Sequence, residues 1–233
     1  MDVILLKRSE INLALKEMEA MLKEHCFHLP EFCHFSPDDW KNLGHEYDEI
    51  RDNMLGWDIT DYGLGKFDEV GFSLITLRNG NLAKSSLYPK TYAEKLLYLK
   101  EGQYSPNHFH WNKMEDIINR GGGTLLIRVY NSFPDESIDK ESEVTVYIDG
   151  CVRRVAAGTQ VVLTPGMSIS IQPRLYHDFE VLPGSGAVLI GEVSQVNDDT
   201  CDNRFEPPVG RFPAIEEDEA PYRLLCNEYP PAP

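Results

Sequence analysis

The sequence predicts an all-β fold, an antiparallel sandwich or barrel with helices at its N-terminal end, and three observations carry that prediction. From about residue 70 the chain is a series of short runs rich in Val, Ile, Leu, Tyr and Thr; turn signals separate them; and no segment of helical period interrupts them. The strand–helix alternation of a parallel sheet is therefore missing. At 233 residues the chain can bury a full core, and it is expected to form one domain with appendages. Residues 1–69 are expected to be a helical and extended segment packed on the barrel, 70–200 the barrel itself, and 201–233 a tail that wraps it.

Residues 9–25, SEINLALKEMEAMLKEH, place Ile11, Leu15, Met18 and Leu22 at spacings of three and four behind a cap candidate, Ser9, which predicts an amphipathic helix. A second helix is expected from SPDDW to near residue 50. Ser36 would cap it, Pro37 would occupy its first turn, and Asp38 and Asp39 would complement its dipole. The strand candidates are VGFSLITL, TYAEKLLYLK, TLLIRVYN, EVTVYIDG, QVVLTP, SISIQP, YHDFEVL and AVLIGEVS. RNG at 78–80, IDGC at 148–151, TPG at 164–166 and LPGSG at 182–186 mark turns. The tail EPPVGRFPAIEEDEAPY has no period and is expected to lie over the surface.

The 22 Lys and Arg stand against 38 Asp and Glu, a formal charge of −16 that opposes adsorption to nucleic acid or an anionic membrane. The same field works against phosphorylated substrates unless a local Arg cluster overrides it. Apolar runs are short, and MDVILLKRSE turns charged too soon for a secretion signal, so a cytoplasmic protein is expected. Five scattered cysteines (Cys26, Cys33, Cys151, Cys201, Cys226) suit reduced thiols. His25, Cys26, His28, Cys33 and His34 could be drawn as a zinc knot, but their spacing matches no common finger; a helix end running into a Pro-bounded loop is the simpler expectation.

The chemistry concentrates in NHFHWNKMEDIINRGGG, residues 107–123. In an extended segment His108 and His110 point to one face and Phe109 to the other. Glu115, beyond a turn, can return a carboxylate to the same point, and His177 on a neighbouring strand can complete the set. Three imidazoles and a carboxylate suit Mn, Fe, Co, Ni or Zn; in an octahedral ion two positions stay open for water or substrate.

The spacing from Gly102 to Gly122, G-x5-H-x-H-x4-E-x6-G, resembles the first motif of the cupin superfamily at every defined position. The second motif is partly present: Gly166, Pro173 and His177 stand at altered spacing, Leu175 occupies a glycine position, and the final Asn is absent. The segments FSPDDW, LGWDIT, TLRNG, YAEKL, HFHWNKMEDIINRGGG, VYIDGC, TPGMSI, LYHDF, GEVSQVNDD and LCNEY extend the likeness over nearly the whole chain, which is similar to the D-lyxose ketol-isomerases. That resemblance implies a cupin-type jelly-roll barrel and a cytoplasmic homodimer dependent on Mn²⁺. It also implies an activity that interconverts D-lyxose with D-xylulose and, less efficiently, D-mannose with D-fructose.

An aldose and its ketose differ by one proton moved between C1 and C2 and one between their oxygens, so the reaction needs a polarised carbonyl and a base. Two open positions on the ion could chelate O1 and O2 and stabilise a cis-enediolate. Glu192, within apolar AVLIGEVS, is either a proton-transfer group or half of a buried ion pair. Lys95 shares its strand face with Ala93, Leu97 and Leu99, so it is expected to point inward and to need a partner. Lys113 lies between two ligand candidates and can meet substrate. Glu206 and Arg211 could bind distal hydroxyls from the tail. Asp178 should face away from His177 and ranks below Glu192 as base. The same ligands also admit an Fe(II) cupin dioxygenase or a non-catalytic sugar-binding cupin.

Overall fold

Burial alternates along Val144–Ile148, where Val144, Val146 and Ile148 face inward and Thr145 and Tyr147 face solvent, the period of a half-buried strand. Phe72–Leu77 instead buries six residues in succession, because its sheet is covered on both faces. A computed structural model describes residues 5–198 and 201–233. Met1–Ile4, the start of the stretch weighed above as a secretion signal, lie outside the described residues.

The chain opens with β1 (Leu6–Lys7), α1 (Arg8–Glu24), α2 (Pro37–Trp40) and α3 (Asp48–Asp52). The strands that follow are β2 (Gly56–Thr60), β3 (Phe72–Arg78), β4 (Tyr92–Leu99), β5 (Tyr104–Phe109), β6 (Glu115–Gly122), β7 (Leu125–Ser132) and β8 (Ile138–Asp139). The remainder are β9 (Val144–Ile148), β10 (Cys151–Val155), β11 (Gln160–Leu163), β12 (Ser168–Ile171), β13 (Tyr176–Val181), β14 (Val188–Gln195), β15 (Arg204–Phe205) and β16 (Ile215–Glu216). One sheet has the order β10-β9-β12-β6-β14-β4-β3-β2; the other runs β11-β7-β13-β5-β15, with β8 on β7. All pairings within them are antiparallel. The result is the expected all-β cupin-type barrel with N-terminal helices.

Two apolar clusters hold it. Leu97, Leu99, Ile127, Val129, Val146, Ile169 and Ile190 fill the space between the sheets. Ile11, Leu15, Met18 and Leu22 of α1 pack with Trp57, Ile75, Leu96 and Leu189 on the outer face of the larger sheet. Burying each such α1 side chain contributes about 1.5–3 kcal/mol, and Trp57 Nε1 donates to Cys33 O at 2.7 Å.

The structure corrects several local expectations. Helix α1 begins at Arg8, one residue before Ser9, and the Ser9 hydroxyl donates instead to Asp218 of the tail. The helix expected over 36–50 is capped by Ser36 as predicted but stops at Trp40, because Gly44 is extended; a 3₁₀ turn at His45–Tyr47 and the short α3 follow. Arg51 donates to the carbonyls of Leu43 and Gly44 across this break. Strand β2 lies upstream of residue 70 yet belongs to the large sheet. Asp149 and Gly150 take φ of 49° and 77° and close the β9–β10 hairpin, whereas RNG leads into a loop to residue 91. The tail lies over α1 and pairs β16 in parallel with β1, and Arg8 bridges Glu217 and Glu228. Among the described residues, no metal group forms at His25–His34; α1 ends there and Cys33 is buried in a 3₁₀ turn.

Candidate metal centre and active site

His108 is the next-to-last residue of β5 and pairs directly with His177 of the neighbouring strand β13. A bulge between His177 and Phe179 re-aims this part of β13, a common device beside active sites. Phe109 points away from the two histidines and packs against Trp111 and Tyr176, so strand parity leaves His108 and His110 on the inner side. Gly102 and Gly122 of the first motif have φ of 92° and 85°, which explains glycine at both. In the second motif Pro173 and Arg174 form the turn before His177: Leu175 N donates to Gln172 O, and Arg174 takes the positive φ of 64°. Its guanidinium lies over the Phe109 ring and its backbone N–H donates to His110 O at 2.7 Å.

The Nδ1 atoms of His108, His110 and His177 meet the carbonyls of Pro106 (2.8 Å), Asp202 (2.9 Å) and Leu175 (3.0 Å). A carbonyl only accepts, so each Nδ1 carries the hydrogen and each Nε2 presents a lone pair. The candidate ligand atoms of the three rings lie within 4.8 Å of one another. Nε2 of His110 and of His177 is buried with no hydrogen-bond partner among the described residues, while Glu115 Oε1 lies 3.3 Å and 3.1 Å from them. Nitrogens facing a carboxylate at such distances need a positive charge between them, which either a proton or a metal ion supplies. Ligands about 2.1 Å from a shared ion and at right angles are about 3 Å apart. These residues fit a metal ion.

Burial, then the neighbouring His177 and His110, hold His108 well below its usual pKa, so it stays neutral and able to ligate. Burial pushes the Glu115 carboxyl up, but the Lys113 ammonium and His110 outweigh it and hold the group well below the usual carboxylate range. Lys113 Nζ lies 2.7 Å from Glu115 Oε2 and 3.0 Å from Glu192 Oε1. Lys95 pairs across the sheet with Glu192, its Nζ 3.7 Å from the same oxygen. The closest contacts of the Glu192 carboxylate with Lys95, Lys113 and Ser194 all run to Oε1.

Most of these groups line one cavity. Lys95, Lys113, Glu115, Glu192, His108 and His110 form its polar wall; Tyr62, Phe72, Leu74, Leu97, Phe179 and Phe205 form the apolar one. Arg211 reaches the lining and is ion-paired with Asp58. Glu206 is absent from the lining and pairs with Arg204 at 3.2 Å. Asp178 turns outward to Arg128, and burial, offset in part by that guanidinium, raises its carboxyl to about 6.

Sequence reasoning missed three contributors. Asp202 accepts from the backbone N–H of Asn112 and Lys113 and from His110 Nδ1, fixing the loop between ligands. Asn197 accepts from Lys113 Nζ. Tyr62 places its ring edge-on to Phe72 and Phe205 and its hydroxyl 2.8 Å from Ser105 Oγ. Asp202 and Asn197 sit in period-free loops; an aromatic between two turns was the one available signal for Tyr62.

The chain is 47% identical to the D-lyxose/D-mannose isomerase of Escherichia coli O157:H7 over 225 residues, 96% of this chain and 98% of that protein. Its identity to the D-lyxose/D-mannose isomerase of Serratia proteamaculans is 46% with the same coverage. In fold it resembles a mutant of Acinetobacter sp. DL28 L-ribose isomerase in complex with L-ribose, with a TM-score of 0.61, 14% identity, and coverage of 91% of this chain and 99% of that one. The family model for D-lyxose isomerase matches residues 6–229. Its metal-suited histidines and two-walled cavity thus occur in a chain that belongs to the D-lyxose isomerase family.

Proposed function

We propose that this protein is a metal-dependent aldose–ketose isomerase that interconverts D-lyxose and D-xylulose and, less efficiently, D-mannose and D-fructose, through a cis-enediol. The observation that carries the reading is a cavity whose wall holds His108 and His110, grouped with the buried His177, beside the Glu115–Lys113–Glu192–Lys95 chain of alternating charge. In this reading His108, His110, Glu115 and His177 hold one divalent ion, Mn²⁺ foremost, with Co²⁺, Fe²⁺, Ni²⁺ or Zn²⁺ as other occupants. Such an ion supplies Lewis-acid polarisation of the sugar's O1 and O2.

The chain's own residues do the rest. Glu192, tethered through Oε1, offers Oε2 as the base. It takes the proton from C2 of the aldose; the C–H pair becomes the C1–C2 double bond and negative charge gathers on O1. The Lys95 and Lys113 ammonium groups stabilise that charge. O1 takes up a proton, O2 gives one up, and return of the proton from Glu192 to C1 completes the ketose. The apolar wall limits the water beside the reacting carbons and so protects the enediolate from side reactions. Arg211, beside Asp58, and Glu206 from the tail are assigned to distal hydroxyls. Family membership speaks against the iron dioxygenase and the non-catalytic sugar-binding readings. Purified protein with Mn²⁺ and D-lyxose should yield D-xylulose by chromatography without oxygen uptake; an unchanged sugar pool would refute the assignment.

We further propose that it acts as a cytoplasmic homodimer on free monosaccharides. Strands β10 and β11 are edges of the two sheets, with Val152 and Val162 exposed, and such edges favour coverage by a second copy. Light scattering should give twice the chain mass at micromolar concentration, and a stable monomer would contradict the dimer.

A further inference from the structure

An ammonium has three N–H bonds to place, and acceptors close to Lys113 Nζ among the described residues include Glu115 Oε2 at 2.7 Å, Glu192 Oε1 at 3.0 Å and Asn197 Oδ1 at 3.1 Å. The first two belong to the reacting cluster. The third is neutral and comes from the loop after β14, whose position needs its own explanation.

Asn79 supplies it. Asn197 N donates to Asn79 Oδ1 at 3.0 Å, and Asn79 Nδ2 donates to Asn197 O at 2.9 Å, a reciprocal pair between one side-chain amide and one backbone unit. Asn79 is held in turn by Asn53, whose Nδ2 donates to Asn79 O at 3.1 Å, and Asn81 Nδ2 donates to Asn53 Oδ1 at 3.1 Å. Asn53 and Asn79 are buried. Buried amides satisfied on both ends hold a fixed geometry, because rotation would leave a donor or acceptor unmatched.

We infer that Asn79 and Asn197 act as positioning residues, a clamp that fixes the Lys113 ammonium midway between Glu115 and Glu192. The inference rests on the isomerase reading for its kinetic consequence, but the clamp itself is a matter of hydrogen bonding. Without the neutral acceptor, the ammonium is free to collapse onto one carboxylate. It then either over-neutralises Glu115 or leaves the sugar's developing charge unmatched, and a misplacement of about 1 Å can cost about a hundredfold in rate.

The test compares Asn79→Ala, Asn197→Ala and the double variant in the Mn²⁺-loaded enzyme, with circular dichroism as the check on folding. Each single variant should lose about 10- to 100-fold in kcat with little change in KM. The double variant should be no worse than the poorer single, since both substitutions break one clamp. Independently of turnover, acylation of Lys113 by a small amine reagent, followed by mass spectrometry, should be several-fold faster in all three. Wild-type kcat or wild-type labelling of Lys113 in folded Asn79→Ala overturns the clamp. Faster labelling in variants of a wild type that makes no ketose upholds the clamp and overturns the isomerase reading.

Discussion

Glu192→Gln keeps the fold and the metal and loses about a hundredfold to ten-thousandfold in turnover, the usual worth of a general base. The substitution is isosteric, so its oxygen still accepts from Lys113 Nζ and Ser194 Oγ. What disappears is the carboxylate's basicity, which the proposed proton transfer requires. Loss of one charge from the Lys95 and Lys113 cluster lowers the melting temperature somewhat, since a buried ion pair is broken on one side only. Proton exchange separates chemistry from binding: in heavy water the wild type incorporates deuterium at C1 or C2, and a saturated Glu192→Gln enzyme does not. Normal exchange in the variant would pass the role to another carboxylate, with Asp178 and Glu206 next. Their outward placement makes them poorer candidates.

His108→Ala removes metal and activity together. One Nε2 of the histidine group vanishes, and the remaining lone pairs face Glu115 with a weaker hold on any ion. Polarisation by a bound ion is worth several kcal/mol, so activity drops by about a thousandfold or more. Elemental analysis after dialysis reads the metal, and stoichiometric metal in the variant would refute the ligand set. The fold survives, because the core between the sheets closes without the site. Circular dichroism of the chelated wild type should accordingly keep its β signal.

The ligand candidates were legible because strand parity is a local rule: HxH puts two rings on one face wherever the backbone is extended. Lys95 and Glu192 were legible as charges on apolar strands, which must find a counterpart, and the register sets them opposite one another. Strand β6 was less visible, since EDIINRGG is polar to the eye although every second residue is buried. The break at Gly44 was missed because cap and dipole signals mark where a helix starts, not how far it runs. Asp202, Asn197 and Asn79 were not legible as site residues. Each acts through a hydrogen bond between loops far apart in the chain, and no period or spacing encodes such a contact.

The bridge from Arg8 to Glu217 and Glu228 also orders events in time. The ribosome makes the guanidinium first, and its carboxylate partners follow more than two hundred residues later. While the barrel strands emerge, α1 can rest its apolar stripe on the growing sheet, yet the parallel pairing of β1 with β16 waits until Ile215 and Glu216 have been made. Synthesis of the tail is thereby coupled to closure of the outer layer, and a product that stops before Ile215 leaves its first helix unlatched.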